Sequence, residues 1–213
     1  MLSNLQTKNI LEVRDLGLID CAVAYEIQKE AVARVIAGGV QTVFLCEHPT
    51  VITLGRMSHE EHILNRETIE RVGIRVVPID RGGDVTLHAP GQLVVYPILS
   101  LAGSRDLRLY MSKLEQVTIA LLKSFGIVAN RISGKTGVFV GQDKIASLGI
   151  GVRKWVTYHG LGINVNTDLK FFDLIRPCGL DVRMTSVAQI KGQAVEMGEV
   201  KKRFVEYFSK ELL

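Results

Sequence analysis

The sequence predicts an α+β fold, in which a mixed, largely antiparallel β-sheet packs against helices. Segments with strand character outnumber helical ones and mostly join through short turns, while few connections are long enough for a parallel crossover. Hydrophobic residues make up 47% and charged residues 23% of the 213 positions, which is typical of a globular protein that buries a large core. With no repeat or linker visible, we expect a single domain over residues 1–213.

The first elements are a helix and a pair of strands. Segment 21–38 repeats apolar residues at steps of three and four, follows Asp20 as an N-cap and ends at two glycines, so it predicts a helix. Segment 41–55 predicts two strands joined by a turn at His48 and Pro49.

The middle of the chain continues with strands and then the strongest helical pattern. Residues 73–80 predict a strand, and residues 85–101 predict β-structure interrupted at Pro90 and Gly91. Residues 106–126 have one apolar side, begin with Asp106 as a cap and end at a glycine, which predicts a long helix.

The last third predicts a hairpin, a further strand and two helices. Residues 136–140 and 144–152 flank a short turn, as in a β-hairpin. Residues 155–166 predict a strand, 171–175 a short helix, and 196–212 a terminal amphipathic helix.

Charge and cysteine content exclude several classes of protein. The formal net charge of +4 is too small to indicate nucleic-acid binding, although it favours encounter with acidic partners. Three cysteines without zinc-type spacing fit reduced thiols better than a disulfide framework. The N-terminus lacks a signal-peptide pattern, and the longest uncharged run, 85–104, contains prolines and glycine. We therefore expect a soluble, cytoplasmic protein.

The segment 79–92 is the first candidate for a ligand site. Two glycines directly after a strand let backbone N–H groups approach a ligand, and Arg81 adds a positive charge. Thr86 and His88 alternate as residues on one face of a strand do. The alternative interpretation of this segment is a tight glycine turn with an exposed arginine. Neither a P-loop nor a dinucleotide-binding fingerprint is present.

Three further positions each have two interpretations from the residues alone. Lys144 follows a turn and precedes small residues, so it is either a solvated edge lysine or the cation at the end of a groove. His159 begins a glycine-containing apolar strand and is either structural or functional. His59 and His62 have a spacing that could hold a metal on a helix, but no third ligand is evident, so we expect them on the surface and no metal site.

Cys178 differs from the other two cysteines. Cys21 lies on a helix face and Cys46 in mid-strand, where buried, inert thiols are usual. Cys178 stands between Pro177 and Gly179 as a turn residue, and loops on a rigid scaffold often carry nucleophiles. A thiol needs a neighbouring cation to ionise near neutral pH. The candidates for that cation are Lys144, Arg81, His88 and His159, and the residues alone do not choose among them.

Five ordered segments resemble the lipoyl(octanoyl) transferases of lipoate biosynthesis. The resemblance is clearest between residues 40 and 190, and the strings stand in the family's order. They are EHPTVITLGR at 47–56, RGGDVTLHAPGQLVVYPI at 81–98, GVFVGQDKIASLGIGV at 137–152, HGLGINVNTDL at 159–169 and IRPCGL at 175–180.

The resemblance implies a fold similar to the catalytic domain of biotin and lipoate protein ligases. It implies that Cys178 takes an octanoyl group from octanoyl-acyl carrier protein as a thioester and passes it to a lysine of a lipoyl domain, with Lys144 as the catalytic partner and no cofactor. The lipoyl domains would be those of 2-oxoacid dehydrogenase complexes and the glycine cleavage H protein. The implied substrate-binding residues are Arg81, Gly82, Gly83, Asp84, Val85, Thr86, Leu87, His88, Ser147, Leu148, Gly149, Gly160, Leu161 and Gly162.

The sequence differs from the family's usual residues at two positions, and two alternative functions remain open. Ala89 stands where the family usually has glycine, and Gly162 where it often has alanine. An ATP-dependent lipoate or biotin protein ligase would use the same fold and a comparable lysine, but it would not need Cys178. An inactive member that only binds lipoyl domains is the other alternative, against which the presence of Cys178 and Lys144 weighs.

Overall fold

The computed structural model describes residues 11–176 and 182–212, which form two β-sheets and five α-helices. The strands are β1 (Leu11–Leu18), β2 (Gln41–Glu47), β3 (Val51–Leu54), β4 (Arg75–Pro78), β5 (Val85–His88), β6 (Gln92–Ile98), β7 (Asn130–Ile132), β8 (Lys135–Val140), β9 (Asp143–Arg153) and β10 (Val156–Asn164). The helices are α1 (Cys21–Ile36), α2 (Arg66–Arg71), α3 (Leu107–Ser124), α4 (Val187–Lys191) and α5 (Met197–Leu212), with 3-10 turns at Glu60–His62 and Leu169–Leu174.

The larger sheet has seven strands in the order β1-β2-β6-β10-β9-β8-β7. Only β1 and β2 run parallel in it, and the other neighbours are antiparallel. The smaller sheet has the order β4-β3-β5, with β3 and β4 parallel. The predicted α+β class with a mixed, largely antiparallel sheet is therefore confirmed, and the β-structure divides into two sheets at the turns 48–50 and 89–91.

Alternation along the central strands produces two separate cores, one on each face of the large sheet. On β2, Val43 and Leu45 point to one core while Phe44 and Cys46 point to the other. Helices α3 and α5 cover the first face, and α1 covers part of the second. The small sheet has its own apolar cluster, which includes Ile52, Leu87 and Ala89.

Side-chain caps fix where the helices begin. Asp20 accepts a hydrogen bond from Ala22 N at 2.8 Å, and Asp106 accepts one from Leu109 N at 2.9 Å, as the sequence predicts. Ser186 caps α4 in the same way through Gln189 N. The patterns did not predict β1, β7, α2 or α4, which are short or lie at sheet edges. Across 11–176 and 182–212, no helix has both the length and the hydrophobicity needed to cross a membrane.

Candidate active site

A narrow cavity lies between the large sheet and the segment that leads into β5. Its empty volume is about 540 Å³, which includes the open space at its mouth. We call this cavity the slot. Most of the predicted substrate-binding residues line it: Arg81, Gly83, Val85, Thr86, His88, Ser147, Leu148, Gly149, Gly160, Leu161 and Gly162. The sequence reasoning did not list Ile79, Gln92, Val94, Tyr96 and His159, which line it as well.

Three of the predicted residues lie near the slot without lining it. Gly82 N donates to Ile150 O at 2.8 Å and so joins the loop to β9. Asp84 accepts hydrogen bonds from the His62 ring and from the backbone N–H of Val85, so it fixes the 3-10 turn Glu60–His62 to the loop. Leu87 is fully buried in the core of the small sheet. Their predicted contact with substrate stays a prediction.

Small residues on two neighbouring strands form the floor of the slot. Gly162 on β10 lies opposite Ser147 on β9, and Gly160 lies opposite Gly149. A Cβ on Gly149 would lie 2.8 Å from Gly82 O, so only glycine lets the loop approach the sheet this closely. The missing side chains on this face therefore let the loop and the neighbouring groups pack close to the floor.

Arg81 is buried in the wall of the slot, which rules out the exposed-arginine reading of segment 79–92. Its guanidinium donates to Thr53 O at 2.8 Å and to Thr53 Oγ1 at 3.0 Å, across the small sheet. It also donates to Gly82 O at 3.1 Å. These bonds hold the double-glycine loop in a fixed position against β3.

At one end of the slot, His88 begins a chain of buried hydrogen bonds. Its Nδ1 lies 2.6 Å from Gln92 Oε1, and Gln92 Nε2 donates to Asn164 Oδ1 at 2.9 Å. Because the Gln92 oxygen accepts, His88 carries its proton on Nδ1 and keeps Nε2 as an acceptor. Burial, helped by repulsion from His48, lowers the pKa of His88 to about 3, so the imidazole is neutral at physiological pH.

The same chain of hydrogen bonds reaches the backbone of Lys144. Asn164 Nδ2 donates to Thr185 O at 3.0 Å, and Thr185 N donates to Lys144 O at 2.9 Å. Lys144 N in turn donates to Arg183 O at 2.8 Å. The strand that carries Lys144 is thus attached both to the slot and to the segment that begins at residue 182.

Lys144 is fully buried and lies on the slot face of β9 because of a β-bulge. Val138 pairs with Ala146 and Phe139 with Lys144, which leaves Ile145 as an extra residue. A bulge of this kind reverses the alternation, so Lys144 and Ala146 point to opposite faces. Ala146 packs in the core under α3, whereas Lys144 Nζ lies 5.9 Å from the centroid of the Phe139 ring. The solvated edge interpretation of Lys144 is therefore wrong.

Space for the Lys144 side chain comes from a glycine on the neighbouring strand. A Cβ on Gly137 would lie 2.6 Å from Lys144 Cε and 3.3 Å from its Nζ. Gly137 also has a φ of 130°, which side-chain-bearing residues rarely adopt. Its N–H donates to Glu115 Oε1 of α3 at 3.2 Å.

The predicted nucleophile, Cys178, lies outside the described residues, so its placement relative to Lys144 stays a prediction. The residues on either side of 177–181 are described. Arg176 and Val182 line one open cavity, together with Arg183 and Met184. Met184 forms a parallel bridge with Lys144.

The opposite end of the slot carries a second buried polar cluster. Asp80 accepts hydrogen bonds from Tyr25 and Tyr158, both at 2.7 Å, and from His159 Nε2 at 2.9 Å. Burial alone would raise the pKa of Asp80, but the three hydrogen bonds outweigh it and lower the pKa to about 2. Burial lowers the pKa of His159 although Asp80 opposes that shift, so we assign a neutral His159 that donates from Nε2.

His59 precedes the 3-10 turn and is exposed, as expected, whereas His62 ends the turn, is half-buried and pairs with Asp84. Cys21 and Cys46 are buried as expected, and burial raises the pKa of both thiols. Ala89 is buried in the core of the small sheet and does not line the slot, whereas Gly162 does.

Some of these contacts had no signal in the sequence. Asp80 meets Tyr25 and Tyr158 across separations of 55 and 78 residues, and nothing local marks the three as a cluster. Gln92 stands inside a quoted motif, but its link to Asn164 depends on the pairing of β6 with β10. No sequence pattern predicts the bulge at Ile145 either.

These features define an α+β protein with a buried, glycine-floored slot and a buried lysine attached to one end of it. The chain belongs to the lipoyl protein ligase A/B catalytic domain family, whose model matches residues 20–209.

Two bacterial relatives illustrate the similarity in sequence. A protein of Syntrophotalea carbinolica named octanoyltransferase is 48% identical over 201 residues, which is 93% of this chain and 92% of that protein. An octanoyltransferase of Solibacter usitatus is 47% identical over 93% of this chain and 91% of that protein.

Solved structures share the fold at much lower identity. The bipartite lipoate protein ligase of Thermoplasma acidophilum matches with a TM-score of 0.73 and 17% identity, over 95% of this chain and 84% of that one. The biotin protein ligase of Aquifex aeolicus, in complex with biotin and ATP, matches with a TM-score of 0.61 and 15% identity, over 94% and 70%. The expected similarity in fold to both ligase families is confirmed.

Proposed function

We propose that this protein is an octanoyltransferase of lipoate biosynthesis. It moves an octanoyl group from octanoyl-acyl carrier protein to a lysine of a lipoyl domain, through a thioester on Cys178. The observation that carries the proposal is the slot itself, a buried channel with a glycine floor that is linked by hydrogen bonds to Lys144. The names of the 48% and 47% identical relatives support the same reaction.

The transfer balances without ATP or a metal ion. The Cys178 thiolate attacks the carbonyl carbon of the donor thioester, the C–S bond to the carrier breaks, and the carrier leaves as a thiol after taking up a proton. The amine of the acceptor lysine then attacks the acyl-enzyme, the C–S bond to Cys178 breaks, and an amide forms. Dividing one transfer between two large proteins into separate encounters gives ping-pong kinetics.

Lys144 is the proposed partner of the thiol. A cationic ammonium group beside Cys178 favours the thiolate, and a neutral amine accepts the proton of the incoming lysine. The full burial of Lys144 supports this role, because water does not screen a charge at such a position. Backbone clamps from Arg183 and Thr185 hold its strand next to the residues that follow 177–181.

The slot is the proposed acyl-binding site. Ile79, Val85 and Val94 supply apolar surface for a hydrocarbon chain. Backbone N–H groups of the glycine-rich segments are the proposed donors to the developing oxyanion at the reacting carbonyl. Octanoyl-acyl carrier protein is the proposed donor. The proposed acceptors are lipoyl domains of 2-oxoacid dehydrogenase complexes and the glycine cleavage H protein, and the proposed compartment is the cytoplasm.

The nucleophile is tested by mass spectrometry of the intact protein. Incubation with octanoyl-acyl carrier protein is expected to add one octanoyl group to the wild-type chain. Cys178→Ser abolishes this adduct, because a serine hydroxyl without its own base is a much poorer nucleophile. Cys21→Ser is the matched control and keeps the adduct. Full-rate adduct formation in Cys178→Ser refutes the assignment.

The lysine is tested by the pH dependence of thiol alkylation. Lys144→Ala removes the cation, so half-maximal alkylation of Cys178 by iodoacetamide moves to higher pH. Lys123→Ala, on the distant end of α3, serves as the control. Identical alkylation profiles for wild type and Lys144→Ala would place the lysine away from the thiol.

An ATP-dependent ligase is the second candidate, because lipoate and biotin protein ligases share this fold. Such an enzyme activates a free acid as an acyl-adenylate and does not depend on Cys178. Two separate assays discriminate between the two reactions. In one, a lipoyl domain is incubated with free octanoate and ATP, and in the other with octanoyl-acyl carrier protein. Octanoylation from the carrier only supports transfer, and octanoylation from octanoate and ATP supports ligation.

A further inference from the structure

His159 adopts an unusual backbone conformation inside a strand. Its φ is 54°, a left-handed value that strains a residue with a side chain and persists only where the surroundings impose it. The other positive-φ residues with side chains in the described chain, Arg105, Lys154 and Trp155, lie outside the strands. The left-handed turn interrupts alternation, so Tyr158 and His159 both reach Asp80, with ring centroids 4.8 Å apart.

The Tyr158 ring lies where the floor of the slot would otherwise continue. On β9, Ser147 and Gly149 line the slot, and strand alternation places Gly151 next on the same face. A Cβ on Gly151 would lie 2.4 Å from Tyr158 Cζ, so the ring sits directly on that glycine. From Ser147 to Gly151 the strand rises about 13 Å, which is the length of floor available before the ring.

Asp80 and Tyr25 hold this ring and the His159 imidazole in place. The carboxylate binds both residues, and Tyr25 of α1 adds a hydrogen bond to Asp80 and stacks on His159 at 5.2 Å between centroids. Beyond them lies a second, half-open cavity lined by Tyr25, Asp80 and Tyr158, with about 310 Å³ of empty space that includes open solvent. One layer of rings therefore separates the slot from further space.

We propose that Tyr158 and His159, held by Asp80, form the end wall of the slot and set the longest acyl chain that the protein accepts. This inference rests on the proposed function, since it assigns the chain-length limit of the same site. Removal of either ring joins the slot to the outer cavity. Longer acyl chains then gain burial, and each additional buried methylene contributes a factor of about four in affinity.

The test measures acyl-enzyme formation with octanoyl-, decanoyl-, dodecanoyl- and tetradecanoyl-acyl carrier protein. For wild type, we expect adduct formation to fall beyond octanoyl or decanoyl. Tyr158→Leu is expected to raise the ratio of dodecanoyl to octanoyl adduct by roughly tenfold or more, because each additional buried methylene increases affinity about fourfold. Tyr158→Phe keeps the ring and the wild-type ratio. Phe44→Leu replaces a ring in the same core layer with a smaller side chain. Because Phe44 does not line the slot, this variant also keeps the wild-type ratio.

A second variant guards against misfolding of Tyr158→Leu. Glycine adopts a φ of 54° without strain, so His159→Gly preserves the backbone while removing the imidazole from the slot. It is expected to shift the chain-length profile in the same direction. Unchanged ratios in both Tyr158→Leu and His159→Gly overturn the inference, as does a wild-type protein that loads all four chains equally.

Binding of free fatty acids tests the inference about the end wall independently of the proposed acyl transfer. Octanoic and dodecanoic acid are added to wild type and to His159→Gly, and the midpoint of thermal unfolding is measured. Stabilisation of wild type by octanoic acid only, and of the variant by both acids, supports the wall even if no acyl-enzyme ever forms. Equal responses of the two proteins to both acids contradict it.

Discussion

The same strands form both faces of the large sheet, but one face packs into an apolar core and the other lines the slot. Toward α3 and α5, residues such as Leu161 and Ile163 of β10 fill every space in an apolar core. Toward the small sheet, the intervening Gly160 and Gly162 line the slot, and an added Cβ would meet Val95 O at the first position and the Gln92 side chain at the second. The slot face thus depends on close approach at glycines, while the first face supplies the stability of a packed apolar core.

The largest expected effect comes from the packed face. Phe204 of α5 is fully buried against Phe208, so Phe204→Ala leaves a cavity and lowers the free energy of unfolding by about 3–5 kcal/mol. Urea denaturation measures this loss. If the two faces are independent, the surviving folded protein keeps the wild-type ratio of dodecanoyl to octanoyl adduct. A changed ratio would show that the packed face also shapes the slot.

The next effect is expected on the slot face. Gly149→Ala places a methyl group 2.8 Å from Gly82 O and 3.2 Å from Arg81 Cδ, so the loop must move away from the sheet. We expect a loss of about 1–3 kcal/mol in the free energy of unfolding together with a large fall in acyl-enzyme formation. Gly103→Ala is the matched control, because no atom lies within 4 Å of its added Cβ. Full adduct formation in Gly149→Ala would contradict the slot assignment.

A pH-dependent effect follows from the buried imidazole of His88. Its pKa is about 3 in the folded protein against 6.5 for an unperturbed imidazole, so below pH 6.5 the unfolded chain binds a proton that the folded chain does not. Stability therefore falls as the pH drops through this window, by about 1.4 kcal/mol per pH unit for one such group. His88→Gln does not titrate, and its free energy of unfolding should fall less steeply by that amount.

Denaturation of both proteins at several pH values measures the two slopes. His48 and His159 have pKa shifts in the same direction and remain in both proteins, so the difference between the slopes reports His88. Parallel slopes would mean that His88 is accessible to protons in the folded state.

The smallest effect is expected at Gly162, where the family often has alanine. The added Cβ would lie 2.9 Å from Gln92 Oε1, and the end of that side chain can move. The reduced entropy of the unfolded chain offsets part of the strain, so the free energy of unfolding stays within about 1 kcal/mol of wild type. Thermal unfolding measures this. A loss comparable to that of Gly149→Ala would show that the Gln92 amide is fixed rather than adjustable.

Prediction from sequence succeeded where the determining contacts are local and failed where they are not. Asp20 and Asp106 each cap a helix within three residues, and both caps are found. Motif resemblance located most of the slot, because its lining comes from three short segments. Edge strand β1 depends on parallel pairing with β2 and has no pattern of its own. The orientation of Lys144 depends on a bulge, and the Asp80 cluster on residues from distant elements.

The extra residue at position 145 has a consequence for comparing related chains. If β8 and β9 paired without the bulge, Ile145 would stand opposite Phe139, and regular pleating would turn Lys144 to the face covered by α3 and α5. The lysine, its glycine neighbour and all five motifs would nevertheless be identical in an alignment. Identity of residues is thus an incomplete criterion for activity among such chains, and the pairing of the strand that carries the lysine has to be inherited as well.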